Sequence, residues 1–526
     1  MQPWPTIAHA VAAGAARSPY LDILTFEHEG LRETRSYRQL WDNACRIAAA
    51  LSARGVTAGE RVALMLQNHP EFVEAMIASA MLGAVFVPID PRTRGERLAF
   101  MLRHCGCHGA IVGDYALGLL QPAGPDAPDV AWALVVGDSQ HAGGKPEVAP
   151  MSGILAGPAP AAGVMTQDPD LPQQILYTSG TTGDPKGVVI RHGRFAVVAG
   201  QAEVVYGYRR DDRLYTGLSL THANAQFGTL APALYLGIPA VISRRFSKSR
   251  LWSILRDNRC TAFALLGGMA TAIYSEPPQA DDTDNPVRLI TSAGMPPALW
   301  ADFERRFGVR IAEYYGSLEG GLLMNRVGEG PIGSCGRIGP GLQCRIVDEA
   351  GREVPPGQPG EILFRPADGS PAVVEYFGDP EASRAKTEDG WLHSGDILHI
   401  DADGWAWFHH RKGGGIRRNG DFISPSSVEE VLARHPAVGD VFVYGRPSAN
   451  GAPGEQDVVA AVVPADGVAL DVADLFDWCR RSLERYASPS FIQVVSEIPK
   501  TASEKPLARL LVERFDQDPA AVHQQP

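Results

Sequence analysis

One segment of the chain reads Tyr177-Thr178-Ser179-Gly180-Thr181-Thr182-Gly183-Asp184-Pro185-Lys186-Gly187-Val188 and contains four Ser/Thr hydroxyls, three glycines and one lysine. A run rich in apolar residues leads into it at 174–177, and a β-branched run follows at 188–190. The pattern predicts a strand, a tight loop and a second strand. Glycines let backbone N–H groups close around an anion, and the hydroxyls and the ammonium add further donors. The segment therefore predicts a polyphosphate-binding loop.

The loop differs from a Walker A loop, in which Gly-Lys-Ser/Thr opens a helix. Here Lys186 is followed by Gly187 and a strand-like run. A solvent-exposed Ser/Thr/Gly turn is the alternative interpretation. The order of the residues favours the phosphate loop.

Size and composition limit the function further. A chain of 526 residues is too long for one ordinary core, so two or more domains are expected. The net charge of −12 argues against nucleic acid as the main partner. No secretion signal is visible at the N-terminus, and no run approaches the roughly 18 apolar residues of a membrane span. The seven scattered cysteines predict free thiols, Cys105 and Cys107 buried among them, in a reducing cytoplasm.

The first hundred residues alternate between helical and strand patterns. Helices are expected at 37–54 and 70–82, each followed by a glycine, and strands at 61–66 and 84–88. Such alternation predicts a parallel sheet covered on both faces. The Pro-, Ala- and Gly-rich region 120–165 is expected to be a surface connection.

The second half of the chain shows a different pattern. Short β-rich runs at 343–347 and 360–364 predict an antiparallel sub-domain. Three consecutive glycines end the run 411–415 and favour no single element, so we place a domain boundary there. The predicted domains are a large N-terminal domain at 1–410, a hinge at 411–415 and a small C-terminal domain at 416–526. In the last part we expect strands at 440–444 and 458–463, a helix at 472–486 and a frayed end at 516–526.

Further motifs follow the loop in a fixed order. They are Ser292-Ala-Gly-Met-Pro296, Tyr315-Gly-Ser-Leu-Glu319, Trp391-Leu-His-Ser-Gly-Asp396 and Pro499-Lys-Thr-Ala-Ser-Glu-Lys505. With the loop, they resemble the acyl-adenylate-forming superfamily over nearly the whole chain. That superfamily includes acyl-CoA synthetases, firefly luciferase and carrier-loading adenylation domains. The segments 220–226 and 266–269 look most like its carnitine/crotonobetaine-CoA ligase branch.

The resemblance implies a fold and an activity. The fold class is α/β, with a large N-terminal domain of two αβ-layered sheets and a small antiparallel β sub-domain, followed by a small mobile α+β C-terminal domain. The implied activity is an ATP- and Mg²⁺-dependent carboxylic acid–CoA ligase. It forms acyl-AMP with release of pyrophosphate, and then an acyl-CoA thioester with release of AMP.

The resemblance also implies a nucleotide site. The phosphates would be bound by Thr178, Ser179, Gly180, Thr181, Thr182, Gly183 and Lys186. Adenine and the α-phosphate would contact Ala293, Gly294, Tyr315, Gly316, Ser317 and Leu318. Asp396 and Arg411 would bind the ribose. Glu319 and Thr182 would hold Mg²⁺, which takes one or two carboxylates together with phosphate oxygens.

Other residues are implied in the acyl transfer itself. Lys505 would stabilise the charge that develops as pyrophosphate leaves, and Glu319 and His222 complete the catalytic set, His222 as a pocket gate. The acyl pocket would comprise His222, Ala223, Asn224, Gln226, Gly267, Gly268 and Met269. The domain would turn about Gly413, and Gly420 and Asp421 would border the CoA thiol.

Four positions depart from the family pattern. Leu318 replaces a threonine that donates to the α-phosphate, and such a charge-assisted hydrogen bond is worth about 1.5–3 kcal/mol. His410 replaces the acid that usually orients Arg411, Gly413 replaces a hinge Asp or Lys, and Glu504 replaces a glycine. These departures leave open an impaired nucleotide-binding relative. Independently of them, the chain could be a ligase that loads a separate carrier protein or an oxidative adenylating enzyme. The sequence does not name the acid, and it leaves the oligomeric state open, a homodimer included.

Overall fold

The computed structural model describes residues 4–120, 130–138, 146–178, 185–412, 415–418, 421–423, 425–447, 456–483, 487–501 and 506–525. The helices are α1 (Ile7–Arg17), α2 (Tyr37–Ser52), α3 (Pro70–Leu82), α4 (Gly95–Cys105), α5 (Asp114–Leu117), α6 (Met151–Leu155), α7 (Gly193–Tyr206), α8 (Ala223–Ala225), α9 (Ala231–Leu236), α10 (Leu251–Asp257), α11 (Gly267–Tyr274), α12 (Pro297–Phe307), α13 (Pro380–Lys386), α14 (Pro425–Ala433), α15 (Val472–Ser482) and α16 (Ala508–Gln517). A π-helical turn spans Gln226–Leu230.

The strands alternate with these helices. They are β1 (Asp22–His28), β2 (Leu31–Ser36), β3 (Arg61–Met65), β4 (Val85–Pro88), β5 (Gly109–Gly113), β6 (Trp132–Val136), β7 (Glu147–Pro150), β8 (Pro172–Tyr177), β9 (Gly187–Arg191), β10 (Leu214–Thr216), β11 (Ala240–Ser243), β12 (Ala262–Leu266), β13 (Leu289–Ala293), β14 (Arg310–Gly316), β15 (Leu322–Met324), β16 (Arg337–Ile338), β17 (Leu342–Val347), β18 (Gly360–Pro366), β19 (Leu392–Ile400), β20 (Ala406–Arg411), β21 (Ile416–Arg418), β22 (Asp421–Ile423), β23 (Val438–Pro447), β24 (Gln456–Pro464), β25 (Phe491–Val494) and β26 (Val522–Gln524).

Local sequence signals explain where the early helices begin and end. Ser36 and Gln39 form a capping box that starts α2, because each side chain bonds the backbone N–H of the other residue. Pro70 opens α3, where a missing N–H costs nothing, and Gly83 closes it with φ of 70°. The predicted helices and strands of this region are confirmed.

The chain divides into two compact units according to its internal contacts. The first comprises Met1–Ser247, Ser253–Ala264 and Val373–Lys386, and the second comprises Lys248–Trp252, Leu265–Ala372 and Thr387–Pro526. The predicted boundaries at 410 and 415 mark a hinge for domain movement, whereas the two compact units are defined by contacts. The predicted boundaries therefore stay a prediction.

The first unit contains a sheet in the order β7-β6-β5-β3-β4-β8-β9. All neighbours in it are parallel except β8 and β9, which are antiparallel and pair Tyr177 with Gly187. Its core on one face includes Met65, Val87 and Val112, all fully buried. The same unit holds β1 between β11, to which it is parallel, and the antiparallel β2. β10 is parallel to both β11 and β12.

The second unit is richer in antiparallel pairs. β13 and β14 are parallel, and β15 and β16 extend β14 in antiparallel fashion. β17-β18-β19-β20 form the predicted antiparallel sub-domain. Towards the C-terminus, β21 pairs with β22, and β23-β24-β25-β26 form a sheet whose core includes Val458, Leu475 and Ile492.

Three expectations were wrong. Region 120–165 is not a plain surface connection, because β6 and β7 add two parallel strands to the sheet. Its average composition hides the five-residue apolar run of β6, which is buried along its length. The C-terminal end is not frayed, since β26 pairs with β25 through Phe491 and Gln524. Helix α15 ends at Ser482 rather than at 486.

Among the described residues, no helix combines the length and the apolar character needed to cross a membrane. All seven cysteines are free thiols, as predicted, and Cys105 and Cys107 are buried.

Candidate nucleotide and acyl site

The two strands that flank the phosphate loop hold its ends together. Thr178 donates its backbone N–H to the Lys186 carbonyl at 3.0 Å, which continues the β8–β9 ladder by one step. Residues 179–184 lie outside the described part of the chain. The two predicted strands are therefore present, one on each side of the loop.

A neighbouring segment positions Lys186. Val189 donates to the Glu375 carbonyl at 2.9 Å and Phe377 donates to the Gly187 carbonyl at 2.8 Å, so 375–377 runs alongside β9. The Lys186 ammonium lies 5.1 Å from the centre of the Tyr376 ring. An aromatic face attracts a cation over this distance. The exposed lysine is thus held beside the ring at the exit of the loop.

Tyr177 anchors the entrance of the loop. Its hydroxyl lies 2.7 Å from Nδ1 of His104 and 3.0 Å from Sγ of Cys105, both on α4. Burial and the neighbouring Cys105 raise the pKa of the Tyr177 phenol, so the hydroxyl stays neutral. These contacts tie the residue before the phosphate loop to the first sheet's covering helix.

A buried amide orders the segment that leads to the predicted acyl pocket. Asn68 is 1% exposed and donates to the carbonyls of Leu218 and Ser243 at 2.9 and 2.8 Å. It also accepts from the Leu220 N–H at 2.8 Å. One side chain therefore holds the backbone on both sides of residue 219, just before His222.

His222 caps the short helix α8, which carries Ala223 and Asn224. Gln226 follows as the first residue of the π-helical turn and is fully buried. It donates to the Leu220 carbonyl at 2.8 Å and accepts from Gln174 at 2.9 Å. Gln226 thus braces the segment internally, and its place in the acyl pocket stays a prediction.

Tyr315, Asp396 and Arg411 form one cluster in the second unit. The Tyr315 hydroxyl donates to Oδ2 of Asp396 at 2.6 Å, and Arg411 Nε lies 3.1 Å from Oδ1. Asp396 and Arg411 face each other across β19 and β20. The Asp396 carboxylate is 2% exposed while Arg411 is open to solvent. Arg411 therefore finds in Asp396 the ion pair that His410 cannot supply.

Glu361 supports the same region from β18. It accepts from the Gly395 N–H at 2.9 Å and lies 3.3 Å from the Lys412 ammonium. Burial raises the pKa of Glu361, but three neighbouring groups lower it further and hold it below its usual range: the Gly395 N–H, Lys412 and His393. A fixed negative charge thus lies beside Lys412, the residue before the predicted hinge.

The turn after β14 presents Leu318 and Glu319. Ser317 donates its hydroxyl to the Gly320 carbonyl at 2.6 Å, and Gly320 returns its N–H to the Ser317 carbonyl at 3.2 Å. Gly316 precedes this turn at the end of β14. The reciprocal bonds fix a tight turn with Leu318 and the half-exposed Glu319 at its tip.

The predicted adenine loop follows Ala293 at the end of β13. Gly294 has φ of 85°, a conformation that favours glycine, and its N–H donates to Oε1 of Glu313 at 2.5 Å. A Cβ atom on Gly267 would lie 2.1 Å from the Gly294 carbonyl oxygen. The backbones of β13 and of α11, which also carries Gly268 and Met269, therefore approach as closely as two glycines allow.

Several predicted residues cannot be placed. Those outside the described residues are Ser179, Gly180, Thr181, Thr182, Gly183, Gly413, Gly420, Glu504 and Lys505, and for Asp421 only the backbone strand is described. Their roles remain predictions.

Sequence reasoning also missed residues that hold the site. Glu313 precedes Tyr315 by two positions in β14, and this alternation places both on one face, a signal that could have identified it. Neither Asn68 nor Glu361 could be found in this way, because their hydrogen-bond partners lie far away in the sequence.

The described residues suit a weakly held Mg²⁺ ion. Among them, no group of three or more His, Cys, Asp or Glu residues could form a metal cage. Magnesium at a nucleotide site needs only one or two carboxylates, since phosphate oxygens and water complete its shell. The half-exposed Glu319 at the turn tip fits that requirement.

Comparison with known protein families gives the class. Residues 11–370 match the model of the AMP-binding enzyme family, and residues 427–505 match the AMP-binding enzyme C-terminal domain. The first match covers more than half of the chain, so the chain belongs to the AMP-binding enzyme family.

Two curated relatives indicate the branch of the family to which the chain is similar. The chain is 29% identical over 490 residues to a crotonobetaine/carnitine–CoA ligase of Salmonella enteritidis, covering 92% of this chain and 94% of that protein. It is 31% identical over 478 residues to an indoleacetate–CoA ligase of Aromatoleum aromaticum, covering 89% and 91%. The predicted superfamily and its carnitine-CoA-ligase-like branch are confirmed.

Solved structures confirm the fold class. An anthranilate CoA ligase in complex with anthranoyl-AMP superposes with a TM-score of 0.85 at 25% identity, covering 99% of both chains. A benzoate CoA ligase from Burkholderia xenovorans superposes with a TM-score of 0.82 at 24% identity, covering 96% of this chain and 99% of that one.

Proposed function

We propose that the chain is an ATP-dependent carboxylic acid–CoA ligase. The observation that carries the proposal is the Tyr315–Asp396–Arg411 cluster, which joins a buried carboxylate, an aromatic ring and an exposed cation in a chain of the AMP-binding family. The named relatives and the structure with anthranoyl-AMP support the same chemistry.

The nucleotide roles follow from the side chains. Asp396 would accept the ribose hydroxyls, with the Tyr315 hydroxyl and the Arg411 guanidinium holding its carboxylate in place. Lys186, Thr178 and the loop residues would bind the phosphates. Glu319 and Thr182 would hold Mg²⁺, which offsets phosphate charge when bound.

The reaction has two steps. A carboxylate oxygen of the acid attacks the α-phosphorus, and the bond from that phosphorus to pyrophosphate breaks, with Lys505 meeting the charge that moves onto the leaving group. The CoA sulfur then attacks the acyl carbon, its proton passes to solvent, and the bond to AMP breaks. In this proposal the C-terminal region turns about Gly413 between the steps and brings Gly420 and Asp421 to the thiol.

The setting proposed for this enzyme is the cytoplasm, with small-molecule partners: an acid, ATP and CoA. Seven free thiols fit a reducing compartment. Whether the chain acts as a homodimer is a separate prediction that size-exclusion chromatography with light scattering would test.

The first experiment measures pyrophosphate release with ATP and Mg²⁺ across short, aromatic, long-chain, hydroxy, betaine-like and steroid-side-chain acids. Each acid is tested with CoA, with a phosphopantetheinylated carrier protein and with neither. We expect acid-dependent release and CoA-dependent thioester. Thioester on the carrier alone would favour the carrier-loading alternative, and nucleotide binding without turnover of any acid would refute the ligase.

Lys505 offers a sharper test of the two steps. We expect Lys505→Ala to lose acid-dependent pyrophosphate release by about 100-fold or more, because one preorganised donor to a developing charge is worth about 10²–10³ in rate. The variant should still convert supplied acyl-AMP and CoA into thioester. Lys500→Ala, which removes the lysine paired with Asp440, is the matched control. Equal loss of both half-reactions in Lys505→Ala would contradict the assigned role.

A further inference from the structure

Arg194 is a cation that pairs with no acid among the described residues. It is the second residue of α7, and its enclosed Nε has no hydrogen-bond partner in the part of the chain that the structure describes. Its guanidinium carbon lies 5.9 Å from the centre of the Phe227 ring. No carboxylate forms an ion pair with it within the described ranges of the chain. Burial lowers the pKa of Arg194 and the Tyr206 phenol partly raises it, yet an arginine stays charged.

The position of Arg194 links it to the predicted acyl pocket. Phe227 directly follows Gln226, and α7 packs against the π-helical turn that contains both. The same turn carries Thr229, whose hydroxyl is enclosed and has no hydrogen-bond partner among the described residues. The Thr229 hydroxyl on this turn and the Arg194 guanidinium on the neighbouring helix can both donate hydrogen bonds. Among the described residues, neither the hydroxyl nor Nε of Arg194 has an acceptor.

An N–H of a charged group that is enclosed without a partner costs free energy, and such a group beside a predicted pocket is a candidate for ligand binding. A guanidinium presents parallel N–H groups that match the two oxygens of a carboxylate. The side chain as a whole is only half-buried, so part of it remains accessible to a small molecule.

We infer that Arg194 binds a second anionic group of the acid substrate, so that the preferred substrates are dicarboxylic acids or acids with an equivalent anion at the end far from the reacting carboxylate. This inference rests on the proposed function and names its substrate class. Thr229 would add a neutral hydrogen bond to the same group.

The inference separates this chain from its betaine-specific relatives. A betaine carries a fixed quaternary ammonium, which a neighbouring guanidinium repels. The similarity to a crotonobetaine/carnitine–CoA ligase therefore does not extend to the charge of the substrate.

The test compares matched monoacids and diacids of equal length, such as valerate with glutarate and benzoate with terephthalate. It uses the wild type, Arg194→Met, Arg194→Lys and the control Arg209→Met, which removes an exposed arginine just beyond α7. We expect the wild type to prefer a diacid. Arg194→Met should lower kcat/KM for that diacid by about 10- to 100-fold, the effect of one or two charged hydrogen bonds. Its kcat/KM for monoacids and its KM for ATP should stay within about threefold.

A binding measurement separates this inference from the proposed function. Calorimetric titration of the diacid, without ATP or CoA, should show binding that Arg194→Met loses and that Arg194→Lys partly retains. Diacid binding through Arg194 without turnover of any acid would refute the ligase and leave the inference intact. Turnover of monoacids and diacids with equal efficiency in the wild type and Arg194→Met would refute the inference and leave the ligase intact. Thermal melts check that each variant is folded. If Arg194→Met does not fold, Arg194→Lys takes its place in the comparison.

Discussion

Glu313 lies beneath the predicted adenine loop with its carboxyl group enclosed. It accepts from the backbone N–H groups of Gly294 and Met295, yet burial outweighs these bonds and raises its pKa to about 7. A carboxyl whose pKa is higher in the folded state prefers to be protonated there. Its contribution to stability is therefore complete below about pH 4.5 and is lost as the pH rises to about 7.

We predict that Glu313→Gln removes this pH dependence. Between pH 5 and pH 8 the wild type should lose about 3 kcal/mol more of its unfolding free energy than the variant, at about 1.4 kcal/mol per pKa unit. Denaturant unfolding at both pH values measures the difference. Glu71 and Glu429 also have pKa values near 7, but they are present in both proteins and cancel. Parallel pH profiles of the two proteins would show that Glu313 is ionised throughout.

For single residues, the sequence predicts candidate identities but not contacts between residues that are distant in the chain. Motifs in the sequence marked Tyr315, Asp396 and Arg411 as candidate site residues, but they did not predict the hydrogen bond from Tyr315 to Asp396. Tyr315 lies in β14 and Asp396 lies 81 positions later in β19, a strand of another sheet. Only the tertiary fold therefore sets the 2.6 Å between the Tyr315 hydroxyl and Oδ2 of Asp396. Arg194 gave no signal in sequence, because a lone arginine in a helix is usually a solvated side chain.

At the scale of elements, the approach of α11 to β13 is the tightest constraint near the predicted site. Gly267 opens α11 and faces the carbonyl of Gly294. A real Cβ atom cannot remain 2.1 Å from an oxygen, so one backbone would have to move.

We predict that Gly267→Ala destabilises the protein by about 1–3 kcal/mol, the usual range for overpacking, and raises the KM for ATP. Gly200→Ala is the matched control, since Gly200 lies in the exposed face of α7 with nothing near its ideal Cβ position. That change should stabilise by about 0.5–1 kcal/mol, because alanine favours a helix more than glycine does. Thermal melts and ATP titrations test both variants. A Gly267→Ala protein with unchanged melting temperature would mean that the two backbones separate freely.

Element prediction succeeded where local signals were strong. Pro70 and Gly83 fixed α3 to the residue. It failed at β6 and β7, where short strands lie within a Pro- and Gly-rich region, and at β26, whose three residues form a strand only because β25 offers an open edge.

At the scale of the whole molecule, the predicted change between the two half-reactions depends on Gly413. Glycine can make a large φ change, whereas proline fixes φ near −65°. The preceding Lys412 is tied to Glu361, so the pivot is expected to begin after residue 412.

We predict that Gly413→Pro slows thioester formation from supplied acyl-AMP by at least about tenfold, relative to its effect on pyrophosphate release. Rapid-quench measurement of each half-reaction gives the two rates. Lys412→Pro would disturb the ion pair with Glu361 as well, so the control is Gly163→Pro, a new proline at an exposed loop position outside the predicted hinge. Equal effects on both half-reactions would remove Gly413 from the role of hinge.

By itself, the sequence determined the superfamily and the α/β class, and it supplied the residues that we propose contact ATP. Ordered motifs and local capping signals carry that information without knowledge of distant contacts. Only the tertiary structure decided which charges are paired and which are not. It placed Asp396 between Tyr315 and Arg411 and enclosed Glu313 under Gly294. It also placed Arg194 beside Phe227, with no acid partner among the residues that the structure describes. Pairing and burial depend on residues far apart in the chain, and these contacts set the electrostatic environment from which the substrate class was inferred.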